Sequence, residues 1–275
     1  MTPSWGPSGP SAPLVAGNAR VKDARRLSRR SVRSERRLFL ADGPKAVEGA
    51  LEVPGALVEV FATPAATERY AALADVAQES GVAWTLVDDR ALASLSEAVS
   101  PAGLVGVCRF LDTDLDSVLA TAPRLVAVCA DVRDPGNAGT VLRCADAAGA
   151  DAVVLAGSSV DAYNPKTVRA SVGSLFHLPV VVVPDAADAV RALQAAGLQV
   201  LAADGAGERD LYDSAPLAGA VAWLFGNEAW GLPAELADLA DHRVSIPIHG
   251  RAESLNLSTA AALCLYETAR TQRRT

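Results

Sequence analysis

The hydrophobic residues of this chain fall into short runs that alternate with longer segments of helical spacing. Apolar runs at residues 125–130, 152–155 and 221–225 are bounded by Gly, Pro or charged residues and have the length of buried strands. Ala-rich segments at residues 138–148 and 257–270 repeat apolar positions every three or four residues, as helices packed on a sheet do. The alternation predicts an α/β fold with a parallel sheet.

The same pattern divides the 275 residues into four parts. Residues 1–13 hold four prolines and two glycines, and predict a disordered tail because they contain nothing to pack. Residues 14–110 predict a smaller α/β domain, and residues 111–122 a linker containing a helix. Residues 123–275 predict a second, larger α/β domain.

Charge is spread unevenly along the chain. The net charge is −7, but the first 40 residues carry nine Lys or Arg and two acids, so the remaining 235 residues sum to −14. Between residues 18 and 37, arginines three or four positions apart predict a helix with one strongly basic face. Such a face is either solvated or bound to phosphates, and we predict that it contacts RNA. The predicted RNA-binding residues are Arg25, Arg26, Arg29, Arg30 and Arg33.

Composition disfavours several classes of protein. The four cysteines form no Cys-x-x-Cys pair and predict buried free thiols in a reducing compartment. The three histidines lack the spacing of metal ligands, so no metal is expected. No apolar run approaches the roughly 20 residues of a membrane span, and we expect a cytoplasmic protein without a membrane partner. The Gly-x-Gly-x-x-Gly fingerprint is absent, which argues against a nucleotide-dependent oxidoreductase.

A polar turn at residues 134–143, with the sequence DPGNAGTVLR, connects a predicted strand to a predicted helix. Pro135 and Gly136 form a tight turn, and Asn137 is a suitable N-cap residue. The free N–H groups of such a helix start suit an anion such as a phosphate. Arg143 lies in the second turn of the helix. A capped helix of an ordinary α/β protein is the alternative interpretation.

Two further polar segments follow predicted strands. LFGNEAWGLP at residues 224–233 ends a strand in Gly226, and ligands of open α/β sheets bind beyond such strand ends. IPIHGRAESLNLSTA at residues 246–260 places Ser254 and Asn256 before the final helix, where they either cap it or orient a substrate hydroxyl. A solvated loop is the alternative for each segment.

In order and spacing, these three segments resemble motifs 1, 2 and 3 of the SpoU-type, TrmH-like RNA 2′-O-ribose methyltransferases of the SPOUT superfamily. The stretch NPKTVRASVGSLF at residues 164–176 is also similar to this family. The resemblance is strong over residues 123–271 and weaker over residues 18–110, which resemble an L30e-like RNA-binding domain. The matching positions are Asn137 and Arg143 in motif 1, Gly226, Asn227 and Glu228 in motif 2, and Ser254, Leu255 and Asn256 in motif 3.

The resemblance implies a parallel-sheet SPOUT domain with a deep trefoil knot, and a homodimer whose active site lies near the subunit interface. It also implies that S-adenosylmethionine is the cofactor, held in the knot largely by backbone groups. The expected cofactor-binding residues are Gly226, Asn227, Ile246, Pro247 and Leu255. The expected catalytic residues are Arg143, Asn137, Glu228, Ser254 and Asn256.

The resemblance further implies a part for Arg143 in activating the ribose hydroxyl. Because an arginine is essentially always protonated, we expect Arg143 to bind the neighbouring phosphate and to stabilise the developing alkoxide. Asn137, Ser254 and Asn256 are expected to orient the ribose and the loop. Glu228 is expected to hold either Arg143 or the motif 3 loop.

The RNA substrate is less well defined by the sequence. The accessory domain and the RAESLN form of motif 3, at residues 251–256, look more like those of rRNA enzymes, including the thiostrepton-resistance type. We therefore predict 23S rRNA, with tRNA as the alternative and a non-catalytic RNA-binding protein on the same fold as a second one. SPAG at residues 100–103 stands where many relatives have Pro-Gln-Gly, so this protein would differ in any role of that glutamine at the domain junction or in RNA binding.

Overall fold

The computed structural model describes residues 12–213 and 216–273 of the chain. These residues form two compact units that divide between Phe110 and Leu111, and each unit has its own sheet. The disordered tail expected at residues 1–13 lies outside the described residues, apart from residues 12 and 13.

The N-terminal unit is a mixed sheet flanked by short helices. Its strands are β1 (Leu38–Asp42), β2 (Leu57–Ala62), β3 (Ala83–Leu86) and β4 (Leu104–Arg109). Its helices are α1 (Ala19–Arg25), α2 (Arg30–Arg36), α3 (Pro44–Glu52), α4 (Pro64–Arg69), α5 (Ala71–Glu79) and α6 (Asp89–Ala93). The strand order is β1-β4-β2-β3, with β4 antiparallel to both neighbours and β2 parallel to β3.

The single basic helix expected at residues 18–37 is wrong. Asn18 caps α1 by accepting a hydrogen bond from the Arg20 N–H at 2.9 Å, and a 3-10 turn at Arg26–Ser28 follows α1. Arg29 then takes an extended backbone, with φ −89° and ψ 127°, before α2 begins. The arginines are therefore carried by two short helices that change direction at Arg29, and they do not share one continuous face.

The C-terminal unit is a seven-stranded sheet in which every neighbouring pair is parallel. Its strands are β5 (Leu125–Ala130), β6 (Ala152–Ala156), β7 (Val180–Val183), β8 (Gln199–Ala203), β9 (Arg209–Asp210), β10 (Val221–Phe225) and β11 (His242–Ser245), in the order β7-β6-β5-β10-β8-β11-β9. Its helices are α7 (Leu115–Leu119), α8 (Pro135–Ala148), α9 (Pro165–Ser171), α10 (Ala186–Ala195), α11 (Ala234–Ala237) and α12 (Leu257–Gln272). The predicted α/β fold with a parallel sheet is confirmed, and the trefoil knot stays a prediction.

The centre of this sheet is fully apolar, which explains the unbroken hydrophobic runs in the sequence. Every residue of β5, β6 and β10 is buried. On one face, α8 and α9 pack so closely that a Cβ on Gly139 would lie 2.4 Å from the Thr167 carbonyl oxygen. The buried indole Nε1 of Trp223 donates to Thr268 Oγ1 at 2.8 Å, and this bond fastens α12 to β10.

The segment expected to be a linker, residues 111–122, packs within the C-terminal unit. Val118 on α7 is buried in the core of that unit. The Thr113 N–H donates to the Val180 carbonyl at 3.1 Å, beside β7. All four cysteines are free, as predicted, and Cys108, Cys129 and Cys264 are buried. Among the residues that the structure describes, no helix combines the length and apolarity that a membrane crossing needs.

Candidate active site

Three polar loops meet at the carboxyl edge of the C-terminal sheet. The loop that begins motif 1 follows β5, motif 2 follows β10, and the loop of motif 3 follows β11. β5 and β10 are parallel neighbours, with Cys129 opposite Phe225, so their loops leave the sheet side by side. This edge is where open α/β sheets bind ligands.

Glu228 of motif 2 is the central acceptor of the site. Its carboxylate accepts hydrogen bonds from the backbone N–H of Arg133 at 3.1 Å and of Asp134 at 2.9 Å, and from Asn137 Nδ2 at 3.2 Å. Burial raises the pKa of Glu228, but these donors outweigh burial and hold its pKa below the ordinary value. Glu228 is therefore an anion that ties motif 2 to motif 1.

Asn137 of motif 1 is also hydrogen-bonded to motif 3. Its Oδ1 accepts from Asn256 Nδ2 at 3.1 Å, while its own Nδ2 donates to Glu228. The Oδ1 of Asn256 then caps α12, accepting from the Ser258 N–H at 2.9 Å and the Ser258 hydroxyl at 2.7 Å. Glu228, Asn137 and Asn256 thus form one hydrogen-bonded chain, called here the motif chain, that joins all three motifs.

The turn that carries Glu228 is rigid. Asn227 and Gly231 exchange two backbone hydrogen bonds of 2.9 Å, and the Asn227 Nδ2 donates to the Asp131 carbonyl at 2.7 Å. Gly231 has φ +70°, a left-handed conformation that favours glycine. A Cβ on Gly226 would lie 2.3 Å from the Gly231 carbonyl carbon. Glycine is therefore required at position 226 because the backbone of the same turn comes so close, whether or not a ligand binds there.

A cavity of about 320 Å³ opens beside the motif chain. Its wall is partly apolar and also carries the carboxylates of Asp204, Glu228 and Glu253, with no Lys, Arg or His among its described lining residues. Of the five expected cofactor-binding residues, Pro247 does not line it, although Ile246 and Ile248 on either side do. The other four expected residues do line the cavity: Gly226, Asn227, Ile246 and Leu255.

The expected catalytic residues divide into two groups. Asn137, Glu228 and Asn256 are held in the motif chain, and the exposed Ser254 lines the cavity. Arg143 is exposed on α8 and does not line the cavity; within the described part of the chain it makes no hydrogen bond or ion pair. The structure therefore brings together four of the five and leaves Arg143 outside.

Three expected roles need correction. Asp134, not Asn137, is the N-cap of α8, because its Oδ1 accepts from the Asn137 N–H at 2.8 Å. Among the described residues, Glu228 makes no hydrogen bond to Arg143 or to the motif 3 loop; it holds motif 1, and Asn137 makes the hydrogen bond to motif 3. The side-chain amides of Asn137 and Asn256 are hydrogen-bonded to each other, so their first role is to hold the loops of motifs 1 and 3 together.

The assignment of Arg33 to RNA binding is also wrong. Arg33 is 2% exposed, and its Nη1 donates to the carbonyl oxygens of Leu27 at 2.9 Å and Ser28 at 2.7 Å. This guanidinium supports the turn between α1 and α2. Arg25, Arg29 and Arg30 are exposed and have no ion pair among the described residues, whereas Arg26 lies 3.8 Å from an Asp23 carboxylate oxygen.

An ion pair that the sequence motifs do not indicate lies at the start of α8. Lys166 Nζ lies 3.0 Å from Asp134 Oδ2, and this hydrogen bond, with that from Asn137, holds the pKa of Asp134 below its ordinary value against burial. The sequence does carry a signal for the cap, because an Asp that precedes a Pro is a common N-cap and the Pro then takes the first helical position. Among the described residues there is no cluster of three or more metal-ligating side chains.

Comparison with known proteins identifies the class to which this fold and site belong. The model of the SpoU rRNA Methylase family matches residues 124–266, and that of the MRM3-like substrate binding domain matches residues 18–106. The chain belongs to the SpoU rRNA methylase family, as the motifs predicted.

Individual relatives span both units of the chain. The chain is 35% identical over 256 residues to the 23S rRNA (guanosine(2553)-2′-O)-methyltransferase RlmP of Bacillus subtilis, covering 91% of this chain and 96% of that protein. The AdoMet-bound rRNA methyltransferase from Sinorhizobium meliloti has 33% identity and a TM-score of 0.80, over 92% of this chain and 95% of that one. The SpoU methyltransferase AviRb from Streptomyces viridochromogenes, in complex with AdoMet, has 31% identity and a TM-score of 0.81, over 94% and 100%.

Proposed function

We propose that this protein transfers the methyl group of S-adenosylmethionine to a ribose 2′-hydroxyl of 23S rRNA. The observation that carries the proposal is the motif chain from Glu228 through Asn137 to Asn256, whose member Glu228 lines the cavity. The names of relatives that span both units, which are 23S rRNA 2′-O-methyltransferases, support the choice of substrate. A tRNA substrate is the alternative.

The cavity suits S-adenosylmethionine in size and charge. Its volume of about 320 Å³ lies within the range of pockets that hold small molecules. S-adenosylmethionine carries a cationic sulfonium and a cationic ammonium, and the described wall offers the carboxylates of Asp204, Glu228 and Glu253. Apolar side chains such as Phe225 and Leu255 provide a surface for the adenine ring. When bound, the cofactor supplies an electrophilic methyl group.

The residues around the cavity would act mainly by positioning. Transfer needs the ribose oxygen in line with the methyl carbon, and the motif chain fixes the loops that flank this position. The Ser254 hydroxyl, which lines the cavity, would contact the ribose. Arg143 would bind the phosphate beside the target ribose and stabilise negative charge that develops on the oxygen.

The position of Arg143 supports a homodimer. In one chain Arg143 does not line the cavity, and its guanidinium is exposed without a partner among the described residues. A second copy would bring its own Arg143 to the site if α8 lies at a two-fold interface. The proposal therefore includes a dimer in which Arg143 of each chain serves the cavity of its partner.

The N-terminal unit would provide most of the phosphate contacts. Arg25, Arg29 and Arg30 are exposed and unpaired within the described residues, and the rest of the chain is acidic. A basic arm on an acidic body concentrates binding of a polyanion at one place. With a 23S rRNA substrate, the protein would act in the cytoplasm.

The experiment that tests the proposed function uses the purified protein, S-adenosylmethionine with a labelled methyl group, and 23S rRNA from a strain that lacks the gene. We expect label in the rRNA and none in tRNA from the same strain. Label in tRNA alone would support the alternative, and bound cofactor without transfer to any RNA would indicate a non-catalytic protein.

A further inference from the structure

Trp230 is held at the tip of the rigid turn of motif 2, and its side chain is 57% exposed. The two backbone hydrogen bonds between Asn227 and Gly231 close this turn, and the Asn227 Oδ1 accepts from the Ala229 N–H at 2.8 Å. Ala229 and Gly231, on either side of Trp230, both line the cavity. A large, exposed aromatic ring is therefore carried by a hydrogen-bonded turn whose neighbouring residues line the proposed cofactor site, although the ring itself does not line it.

Arg133 accompanies this ring. Its guanidinium carbon lies 5.7 Å from the Trp230 ring centroid, within the range of a cation–π contact. Its side chain is exposed and makes no hydrogen bond or ion pair within the described residues. The Arg133 backbone N–H donates to Glu228, the same carboxylate that holds Asn137. Glu228 thus holds both the backbone of Arg133 and the motif chain, and the Arg133 guanidinium lies beside the indole.

We propose that Trp230 and Arg133 form a stacking platform for an unpaired base of the RNA, at or next to the nucleotide whose ribose enters the site. This inference rests on the proposed function and names a part of its substrate contact. An indole stacks on the face of any base, and an arginine beside it binds the phosphate of the same nucleotide. Recognition of RNA relies largely on single-stranded bases that are splayed onto aromatic side chains.

The surroundings favour a nucleic acid over an apolar protein surface as the occupant. An unpaired guanidinium next to the ring suits a phosphate, whereas burial against an apolar partner would leave that charge without a partner. Ala229 and Gly231, the chain neighbours of Trp230, line the cavity, so a base stacked on the exposed ring would lie near the proposed site of the methyl donor. A subunit interface is the competing occupant, and the experiment distinguishes it.

The test compares Trp230→Ala, Trp230→Phe and the control Tyr212→Ala, all in the full chain, with 23S rRNA from the gene-deleted strain as the probe. Tyr212 is an equally exposed aromatic of the same unit, at 57%, and does not line the cavity. We expect Trp230→Ala to raise KM for the rRNA about tenfold, as loss of one base stack does, with kcat and the KM for S-adenosylmethionine nearly unchanged. Trp230→Phe should recover most of the loss, and Tyr212→Ala should equal the wild type.

Arg133→Gln provides a second readout. Arg133→Gln should reduce the slope of log KM against log salt by about 1, the change expected when one phosphate contact is lost. Trp230→Ala should leave that slope unchanged. An unchanged KM for rRNA in Trp230→Ala, or a Phe variant as impaired as the Ala variant, would overturn the platform. A Trp230→Ala protein of lower molecular mass in solution would assign Trp230 to a subunit interface and also overturn it. Failure of the wild type to methylate any RNA is a separate result, and it would remove the proposed function itself.

Discussion

The side-chain amide of Asn256 donates a hydrogen bond of 3.1 Å to the Oδ1 of Asn137, and so joins the N-terminus of α12 to the first turn of α8. The two residues are 119 positions apart. Asn137 also donates a hydrogen bond to Glu228. Asn256 also accepts a hydrogen bond from the backbone at the N-terminus of α12. In this protein the three motifs are thus connected by hydrogen bonds as well as by their order along the chain.

Asn256→Asp separates the connection to motif 1 from the cap of α12. An aspartate still caps the helix, and a negative charge at a helix N-terminus is favourable, so we expect the melting temperature to be maintained. The donated hydrogen bond to Asn137 is lost, and kcat/KM should fall roughly 10- to 100-fold because the loop is no longer held in place. Thermal unfolding and methyl transfer to 23S rRNA measure the two effects. Full activity in this variant would show that the contact with Asn137 has no functional role.

Asn256→Ala is the matched variant. It removes both the cap and the contact with Asn137, so it should lose about 1 kcal/mol of stability in addition to activity. If Asn256→Ala and Asn256→Asp melt at the same temperature, the cap seen at α12 does not contribute to stability.

Glu228 should make stability depend on pH on the acid side. Its pKa is lower in the folded protein than the ordinary value of about 4.3, so its contribution is fully present above that value and is lost as the pH falls through the folded pKa. Glu228→Gln removes this contribution at every pH. We expect the difference in unfolding free energy between wild type and Glu228→Gln to be constant above about pH 5 and to shrink below about pH 4. A difference that does not change between pH 3 and pH 7 would contradict this assignment.

Arg33 and Arg30 offer a comparison of a buried and an exposed arginine three residues apart. Arg33→Gln should destabilise the N-terminal unit by about 3 kcal/mol, because the backbone carbonyls of Leu27 and Ser28 lose a charged donor. Arg30→Gln should leave the melting temperature unchanged and should weaken rRNA binding, most clearly at low salt. Calorimetry and filter binding at two salt concentrations check the pair. Equal loss of RNA affinity in both variants, with no loss of stability in either, would show that Arg33 is accessible after all.

Arg143→Ala should lower turnover at least about 100-fold while leaving the affinity for S-adenosylmethionine unchanged. Turnover within a few-fold of the wild type would mean that Arg143 has no catalytic role. Weak cofactor binding in the variant would point to a structural role instead.

A subunit-mixing experiment tests whether Arg143 acts across a dimer. Arg143→Ala and Asn256→Asp are each impaired, but their heterodimer contains one site with both native residues if Arg143 comes from the partner. Co-expression of two tagged copies should then recover about a quarter of the wild-type activity in a random mixture. No recovery would place Arg143 in the same chain as the cavity that it serves.

Much of the C-terminal fold was predictable because its signals are local. The runs at β5 and β10 are fully buried, so they show as unbroken apolar segments, and both were predicted at residues 125–130 and 221–225. The two-residue strand β9, at Arg209–Asp210, has no such signal and was missed. Its pairing with β11 comes from tertiary contacts alone.

The candidate site was predictable as a set of residues but not as a network. Residue types and spacing pointed to Asn137, Glu228 and Asn256, yet nothing in the sequence shows that these three bond to one another. Their contacts join residues about 90 to 120 positions apart, and only the folded sheet brings them together. Arg33 was misassigned for a similar reason. Its spacing matches that of the exposed arginines, and the extended residue Arg29, which turns Arg33 inward, is not visible in the pattern.

The most direct test of the central claim is mass spectrometry of nucleosides from 23S rRNA incubated with the purified protein and S-adenosylmethionine. The rRNA should come from a gene-deleted strain, and Asn256→Asp should serve as the matched variant. We predict one additional methyl group, on a ribose 2′-oxygen, at a rate that falls roughly 10- to 100-fold in the variant. A methyl group on a base, or no methyl group with the wild type, would contradict the account.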